Sequence, residues 1–575
     1  MTLPSKQILE PHPSSLGSTA TNRPWWKGAV IYQVYPRSFQ DTSGNGIGDL
    51  KGVIKRLSYI ASIGVDAIWV SPFFKSPMKD FGYDVSDFTA VDPLFGTVED
   101  FKLLVDSAHQ LGLKVIIDQV LSHTSDQHEW FQTSRMDNTN DKANWYVWAD
   151  PCEDGTEPNN WRSIFGGSAW SWDEQRKQYY LHNFLTSQPD LNFHCEAMRE
   201  QILKEMTFWL DIGIDGFRLD AINFCYHDSQ LRNNPEKPVS ERKGRGFSAD
   251  NPYAAQYHKY DSTQPETLEF LKDIRLLADR YPNIVLLGEV NSDDSLTTMA
   301  EYTSDNDKLH MAYSFELLAD DFGTAYLTDT VGTINTKLIQ GWPCWAISNH
   351  DSVRVVTRWG RNNNRTQFAK TLLAMAASLR GSVCVYQGEE LGLCEAPIEH
   401  SQLQDPFGIE FWPEFKGRDG CRTPMPWHTG DSHAGFSDSA PWLPIPDVHK
   451  ALSVSEQEQD PHSVLNFYRQ FLAWRKDQLC LLEGNLDFIS TDNELLIFSR
   501  SMPSFGAHRN SDASTLVACF NLTDEPKTWQ PKAESALNWT LELLPLSSTE
   551  QPRFESGSWH FPASTFAIFS AQGED

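Results

Sequence analysis

Eight short apolar runs, rich in β-branched and aromatic residues, recur along most of this 575-residue chain. They lie at 30–34, 67–70, 115–118, 216–219, 285–287, 311–314, 346–348 and 383–386. Most follow a helical pattern that ends at glycine, as 101–111 does before Gly112. Strands that alternate with helices in this way predict an α/β fold, a closed (β/α)8 barrel with insertions. A doubly wound sheet is the alternative, but no G-x-G-x-x-G follows the first strand to support its dinucleotide-binding form.

Two gaps between the predicted strands are too long for simple loops. Residues 125–192, rich in Trp, Asn and Gly, are predicted to form an inserted domain B. The polar stretch from Phe224 to Gln264 is either disordered or folds over the C-terminal face of the barrel. Alternating strands predict a C-terminal antiparallel β-sandwich at 481–575. With 1–22 as a flexible tail, the barrel would comprise 23–124 and 193–480.

Charge and cysteine content restrict the partners and the compartment of the protein. The net charge of −29 argues against nucleic acid or an anionic membrane and suits a neutral or cationic small molecule. No segment approaches the roughly 20 apolar residues of a membrane helix. Nine cysteines, an odd number without zinc or redox spacing, indicate reduced thiols and a cytoplasmic location.

Polar residues at the carboxyl ends of barrel strands are the candidates for catalysis. Arg218 and Asp220 would project from the same face of one strand, where the arginine would favour an ionised aspartate. An isolated pair of this kind is usually structural. Three other strand ends change that balance, since they carry 118–123, Glu289 and 349–351.

Three converging carboxylates repel one another unless one of them holds a proton. Glu289, in an apolar context, is predicted to be protonated, and Asp220 to be the anion. Two carboxyls with different pKa values about 5 Å apart are typical of a retaining glycosidase. Asp351 would then hold sugar hydroxyls, while His123 and His350 would donate hydrogen bonds without adding negative charge.

These stretches resemble the four conserved regions of the α-amylase family, glycoside hydrolase family 13. The resemblance covers nearly the whole chain and includes Q-P-D-L-N at 188–192, I-Y-Q-V-Y-P-R-S-F at 31–39 and R-T-P-M-P-W at 422–427. These forms are similar to the branch of α-glucosidases and oligo-1,6-glucosidases. The non-catalytic heavy chains of amino-acid transporters share the fold, but they would have a membrane helix and would lack the carboxylates.

The resemblance implies a role for each candidate residue. Asp220 would be the nucleophile, Glu289 the acid/base and Asp351 the stabiliser of the transition state. The implied binding residues are Arg218, His123 and His350 in the glucose subsite, Asp80 and Tyr83 capping the non-reducing end, Arg418 pairing with Asp80, and Phe165 as a further wall. A pocket blocked in this way accepts chain ends alone, which makes the enzyme exo-acting.

Two positions bear on activity and linkage. Ser122 stands where the family usually has Asn, and we expect altered local support for His123 rather than lost activity. Ala221 follows the nucleophile; in this branch Val there accompanies α-1,6 specificity, and Ala or Thr accompanies α-1,4. The resemblance therefore implies α-1,4 substrates: maltose, maltooligosaccharides and aryl or alkyl glucosides, with transglucosylation as a side reaction. An oligo-1,6-glucosidase or a sucrose-active member of the family is the alternative.

The segment 41–49 places oxygen ligands at alternate positions. Asp41, Ser43, Asn45 and Asp49 would contribute side chains and Ile47 its carbonyl group, as in a calcium loop. The pattern predicts a structural Ca²⁺ or Mg²⁺, and a glycine-rich turn without metal is the alternative. No organic cofactor is expected, and the chain would act as a monomer or a homodimer.

Overall fold

A computed structural model describes residues 23–242, 251–360, 365–489, 494–502, 515–531, 539–543 and 551–571. The strands within these ranges are β1 (Val30–Val34), β2 (Ala67–Val70), β3 (Phe74–Lys75), β4 (Asp87–Val91), β5 (Lys114–Val120), β6 (Trp148–Ala149), β7 (Trp170–Asp173), β8 (Gln178–Leu181), β9 (Gly216–Asp220), β10 (Val285–Val290), β11 (Met311–Ser314), β12 (Trp342–Ala346), β13 (Ser382–Tyr386), β14 (Asn485–Phe488), β15 (Leu496–Ser501), β16 (Thr515–Asn521), β17 (Lys527–Trp529), β18 (Trp539–Leu543), β19 (Arg553–Glu555), β20 (Ser558–Phe561) and β21 (Thr565–Ala571).

The helices alternate with the strands through the first two thirds of the chain. They are α1 (Leu50–Ile63), α2 (Val98–Gln110), α3 (Glu129–Ser134), α4 (Glu196–Ile212), α5 (Thr267–Ala278), α6 (Ser295–Thr303), α7 (Thr324–Lys337), α8 (Val355–Arg358), α9 (Arg365–Ser378), α10 (Pro406–Glu410), α11 (Asp447–Lys450), α12 (Val454–Gln459), α13 (Val464–Lys476) and α14 (Leu479–Glu483). Within the described ranges, no helix is both long and apolar enough to span a membrane.

Eight parallel strands close into a barrel, as the alternation of strands and helices predicts. Their order around the barrel is β1-β2-β5-β9-β10-β11-β12-β13, and β13 returns to pair with β1. Neighbouring strands are therefore consecutive among the barrel strands along the chain, as right-handed βαβ units require. The carboxyl ends of all eight meet at one face, which brings polar residues from distant sequence positions together.

The seventh barrel strand was predicted at the wrong position. It runs from Trp342 to Ala346, four residues before the predicted 346–348. Proline lacks the N–H that a ladder needs, so Pro343 argues against a strand in the sequence. In the structure Pro343 is the Cα partner of Ala312, at the end of the pairing between β12 and β11. Ser348 to Asp351 consequently form the turn beyond the strand.

Two excursions lie on the carboxyl-end side of the barrel. The first contains the small antiparallel sheet β6-β8-β7, within the predicted domain B. The described part of the second, beyond Phe224, contacts it: Asn251 donates to the carbonyl of Ile164 at 2.8 Å. Tyr253 is buried in an apolar cluster with Ala221 and Phe224. The second excursion therefore covers the strand end that bears Asp220.

The C-terminal sheets form two apolar layers. Strands β14-β15-β16-β21-β18 make one antiparallel sheet and β17-β20-β19 a second. Side chains alternate across a strand, so Ile497 and Val517 face the second sheet, with Trp529 and Phe561. The residues between them on β15 and β16, such as Phe498, belong to the large core around the barrel helices. The larger sheet is thus apolar on both faces.

Arg500 joins this sheet to the barrel, and no carboxylate among the residues that the structure describes forms an ion pair with it. Its fully buried guanidinium donates to five backbone carbonyls at 2.6–3.1 Å, those of Ser378, Leu379, Leu481, Gly484 and Asn485. Burial lowers the pKa of Arg500 to about 9, so the group remains charged at neutral pH. The planar fork satisfies carbonyls at the end of α9 and around α14.

The segment 41–49 forms a turn that leads into α1. Both oxygens of Asp41 accept hydrogen bonds, including 2.8 Å bonds from the backbone N–H groups of Ser43 and Gly46. Asp49 caps α1 by accepting from Gly52 N at 2.7 Å. Across the described residues, no group of three or more His, Cys, Asp or Glu side chains is arranged so that it could hold a metal ion. Oxygen donors suit Ca²⁺ or Mg²⁺, and binding of either ion here stays a prediction.

All nine cysteines lie in the described residues, and every one of them is free. Cys344 and Cys384 approach each other to 3.6 Å between the sulfur atoms, inside the barrel, without forming a bond. The thiol state agrees with the sequence interpretation, while the compartment stays a prediction.

Replacing Arg500 with Lys should destabilise the protein. An ammonium group has three donors for the five carbonyls, and each buried carbonyl without a donor costs about 1–3 kcal/mol. We expect the free energy of unfolding to fall by at least about 2 kcal/mol, measured by chemical denaturation. Arg553→Lys is the matched control, because that side chain is 71% exposed. Equal stabilities for the two variants would contradict this account.

Candidate active site

The ends of β5, β9, β10 and β11 place four polar side chains around one arginine. Arg218 on β9 is the Cα partner of Asp118 on β5 and of Leu287 on β10. Asp220 and Glu289 each lie two residues further along their strands, so all project to the same side. Tyr313 on β11 is the Cα partner of Glu289. Strand register alone therefore assembles the cluster.

Arg218 is fully buried and bonds to three carboxyl groups. Its Nη1 lies 2.7 Å from Asp118 Oδ1 and 2.6 Å from Asp220 Oδ1. Its Nη2 donates to Glu289 Oε2. The Tyr313 hydroxyl accepts from Arg218 Nη2 at 2.9 Å and donates to Glu289 Oε1 at 3.0 Å. One guanidinium thus fixes the relative positions of Asp220 and Glu289.

Burial dominates the ionisation of this cluster. It raises the pKa of Asp118 to about 6 and those of Asp220 and Glu289 to about 7, although Arg218 lowers all three. The prediction that Glu289 is readily protonated agrees with this. The prediction that Arg218 keeps Asp220 at a low pKa is wrong for this structure, because loss of water outweighs the single cation. The pKa values of Asp220 and Glu289 therefore both lie near neutral pH, well above that of an exposed carboxyl group.

Asp351, beyond β12, has a different environment. Its Oδ1 lies 2.7 Å from Arg422 Nη2 and 3.3 Å from Arg418 Nη1. Burial opposes its ionisation, but nearby positive groups, including these arginines, hold its pKa below the usual range. Asp351 is thus the permanent anion of the site.

His350 lies behind the cavity surface. It is fully buried, which lowers its pKa to about 3 and keeps the ring neutral. Its Nδ1 lies 2.7 Å from Gln33 Nε2, and its Nε2 lies 2.5 Å from the Tyr83 hydroxyl. The rings of Tyr83 and His350 stack with their centroids 5.3 Å apart. His350 and Arg218 therefore support side chains that line the cavity and are not themselves part of its lining.

A charged pair forms part of the cavity lining. Arg418 Nη2 lies 2.8 Å from Asp80 Oδ1, and Gln188 Nε2 donates to the other oxygen of Asp80 at 3.1 Å. His123 also lines the cavity; its Nε2 lies 3.1 Å from the Tyr83 carbonyl oxygen. Burial lowers the pKa of His123 to about 4, so it is neutral there. Ser122 Oγ lies 3.0 Å from His123 Nδ1, which supplies local support at the position where the family has Asn.

The rest of the cavity wall is largely aromatic. Phe165 lies 4.9 Å from Phe407 between ring centroids, and its ring lies 5.4 Å from the guanidinium carbon of Arg418. Other lining residues are Ile164, Phe184, Ala221, Phe224, Asn291 and Phe315. The cavity lining thus combines the charged groups of the site with an aromatic wall.

Sequence reasoning missed four residues that build this site. Tyr313, Asp405, Phe407 and Phe184 stand outside the motifs, on β11, before and within α10, and in domain B. The alternation of β11 carried a signal for Tyr313, since the register with Glu289 follows from the barrel order. Asp405 and Phe407 had no comparable signal, because loop conformation decides their positions.

The comparisons with known proteins agree with this geometry. The family model for the catalytic domain of α-amylase matches residues 33–484. A probable α-glucosidase of Rhizobium meliloti (strain 1021) is 54% identical over 510 residues, covering 88% of this chain and 91% of that protein. The oligo-1,6-glucosidase of Heyndrickxia coagulans is 33% identical, covering 90% of this chain and 95% of that protein.

A solved structure extends the similarity to three dimensions. The crystal structure of an α-glucosyl transfer enzyme superposes with a TM-score of 0.91 at 55% identity. The match covers 96% of this chain and 100% of that one. With the closed barrel and its strand-end carboxylates, these findings establish that the chain belongs to the α-amylase family and is a glycoside hydrolase of the α-glucosidase and oligo-1,6-glucosidase type.

Proposed function

We propose that this enzyme is a retaining, exo-acting α-glucosidase that releases terminal α-1,4-linked glucose from maltose, short maltooligosaccharides and other small α-glucosides. The observation that carries the proposal is the arrangement of one cavity. Asp220 and Glu289 contact a shared arginine and line the cavity together with the Asp80–Arg418 pair, which in this proposal closes the end that holds the terminal glucose. A closed end excludes chains that continue beyond the terminal glucose.

In the proposed reaction, the Asp220 carboxylate attacks the anomeric carbon while Glu289 gives its proton to the glycosidic oxygen. The bond to the leaving group breaks, and a covalent glucosyl ester forms on Asp220. Glu289, now ionised, then takes a proton from water, and the water oxygen displaces Asp220. The two displacements give net retention. Asp351, the permanent anion, would stabilise positive charge on the ring in both transition states.

The backbone at Ala221 supports the α-1,4 preference. Ala221 has φ 40° and ψ 44°, in the left-handed region, and its N–H donates to Glu289 Oε2 at 3.2 Å. A branched side chain is strained in this conformation. It would also add volume to the cavity lining between the two carboxyls. A small side chain leaves room there for the aglycone of an α-1,4 bond.

The aromatic wall supports acceptors other than water. The aromatic part of the cavity lining consists of Phe165, Phe184, Phe224, Phe315 and Phe407. Flat apolar faces suit the pyranose ring of a sugar and the ring of an aryl aglycone. Such an acceptor would intercept the glucosyl ester and give transglucosylation. The similar enzyme of known structure is named an α-glucosyl transfer enzyme, which favours this side reaction.

We also propose a cytoplasmic location, a structural metal ion and a monomeric or homodimeric state. The free cysteines favour a cytoplasmic enzyme, and the oxygen-rich turn at 41–49 favours a structural Ca²⁺ or Mg²⁺. A monomer or homodimer acting on small neutral glucosides agrees with the net charge of −29.

A product assay tests the proposed function. The purified enzyme is incubated with maltose, isomaltose, sucrose, trehalose and soluble starch, and the anomer of released glucose is followed by NMR. We expect α-glucose from maltose and little release from starch. Asp220→Asn, which removes the nucleophile with almost no change in shape, should leave less than about one thousandth of the turnover. Initial release of β-glucose, or retained turnover in that variant, would refute the proposal.

The pH dependence of kcat/KM should depend on Glu289. The acid must be protonated to work, so activity with maltose falls as the pH rises through its pKa of about 7. In Glu289→Gln this basic limb disappears, and kcat/KM for maltose drops by about 10²–10⁴-fold. An aryl glucoside with a good leaving group should lose far less, because that group departs without a proton. A basic limb that persists in the variant would assign the limb to another residue.

Ala221→Val should shift the linkage preference. We expect the ratio of kcat/KM for maltose to that for isomaltose to fall by about tenfold, since the two added methyl groups enter the cavity wall. Ala221→Thr is the matched variant, because it adds nearly the same volume and backbone strain but carries a hydroxyl group in place of one methyl group. The resemblance implies that Thr keeps the α-1,4 preference, and an equal fall in the ratio with Thr would assign the shift to volume alone. Identical ratios in all three enzymes would show that this position does not set the linkage.

A further inference from the structure

Asp405 is a fully buried carboxylate that the catalytic proposal does not use. It lies in the loop after β13, next to Arg418. Its Oδ2 accepts from the Arg418 backbone N–H at 2.7 Å and from Nε at 3.1 Å. Its Oδ1 accepts from Arg418 Nη2 at 2.7 Å. Both oxygens therefore hold the same arginine, through its backbone and through its guanidinium.

These contacts with Asp405 determine the orientation of the guanidinium edge that faces Asp80 and Asp351. The Nη2 of Arg418 also reaches Asp80 Oδ1 at 2.8 Å, and its Nη1 reaches Asp351 Oδ1 at 3.3 Å. A bidentate pair fixes the plane of a guanidinium, whereas a single contact leaves it free to rotate. Burial opposes ionisation of Asp405, but the charge of Arg418 lowers its pKa, so the carboxylate is ionised.

The same carboxylate also fixes a second residue of the cavity lining. Asp405 precedes α10, and its Oδ1 accepts from the Phe407 backbone N–H at 3.2 Å. Phe407 contacts Phe165, and both rings line the cavity. The helix also lies against the chain leading to Arg418. A Cβ atom built on Gly417 would come within 2.6 Å of Gly408 Cα and 2.7 Å of Asp405 Oδ2.

We propose that Asp405 is a positioning residue that couples two parts of the cavity lining, by fixing Arg418, which pairs with Asp80, and Phe407, whose ring belongs to the aromatic wall that would contact the aglycone. The inference rests on the proposed function, since it takes glucose as the group held beside Asp80. Asp405 itself is shielded from the cavity, because Arg418 and Phe407 line the cavity in front of it. Its effect on substrate passes through these two neighbours.

The contacts of Asp405 with Arg418 and its contact with Phe407 can be separated by mutation. In Asp405→Asn, Oδ1 still accepts from Phe407 N, and Asn caps helices well, but the Oδ2 contacts with Arg418 are lost. In Asp405→Ala the contacts with both residues are lost. Phe407→Leu removes the aromatic wall alone. Glu410→Gln is the control on α10, because Glu410 is an exposed residue at the end of that helix.

Two readouts on the intact enzyme test the proposal. The first is the dissociation constant of glucose, measured by calorimetry; the second is the ratio of kcat/KM for 4-nitrophenyl α-glucoside to that for maltose. We expect Asp405→Asn to weaken glucose binding by about tenfold or more with an unchanged ratio. Asp405→Ala should weaken glucose binding and lower the ratio, and Phe407→Leu should lower the ratio alone. Glu410→Gln should match the wild type.

A purely structural role gives a different result. Partial loss of folded enzyme lowers kcat for every substrate by one factor and leaves the glucose affinity and the ratio unchanged, which would overturn the proposal. If Asp405→Ala does not fold, Asp405→Asn still tests whether Asp405 positions Arg418. Glucose binding within twofold of the wild type in that variant would refute this role. A wild-type enzyme that releases no glucose from maltose would refute the proposed function, and this inference with it.

Discussion

The site depends on the contact between one buried guanidinium and three carboxyl groups. Arg218 has no access to water, so its charge is balanced by Asp118, Asp220 and Glu289 alone. Three ionised carboxylates around one cation would leave excess negative charge in a dry environment. Burial raises the pKa values of all three to about 6 or 7, and repulsion between the carboxylates adds to that effect, although Arg218 opposes it. The ready supply of a proton thus follows mainly from the loss of water around the cluster.

In a second group of charges, around Arg418 and Arg422, the arginines stabilise the ionised form of a carboxylate. Asp351 has contacts with two arginines and remains ionised at any ordinary pH. The two groups meet across the cavity, where Tyr83 and His350 stack between them and bear no charge. These neutral rings lie between the protonatable pair, Asp220 and Glu289, and the ionised Asp351. This separation gives chemically identical carboxyl groups different roles.

Much of the architecture was predictable because it follows from local patterns. Alternating helical and apolar runs gave seven barrel strands near their true positions, and the strand-end rule gave Asp220, Glu289 and Asp351 as candidates. The seventh strand was misplaced because Pro343 resembles a strand breaker, and its position at the end of a ladder is a tertiary fact. The pKa of Asp220 was misjudged because sequence shows a neighbouring cation but not the extent of burial.

The roles of the loop residues could not be predicted from the sequence, because they too depend on tertiary contacts. Asp405 is 13 positions from Arg418, in a stretch without periodicity, and its contact depends on two glycines that allow close backbone approach. Phe407, which lines the cavity, donates its backbone N–H to the same carboxylate. No local pattern marks such a residue, whereas Tyr313 could have been found once the barrel order was known.

The larger C-terminal sheet has a consequence for the integrity of the enzyme. Its two apolar faces make it an internal wall, shared between the barrel core and the smaller sheet. A barrel produced without residues beyond 484 would expose the helix surface that β15, β16 and β21 normally keep dry. The apparent accessory module is therefore one side of the barrel's own core, and the catalytic unit cannot be shortened to its (β/α)8 part without losing that side.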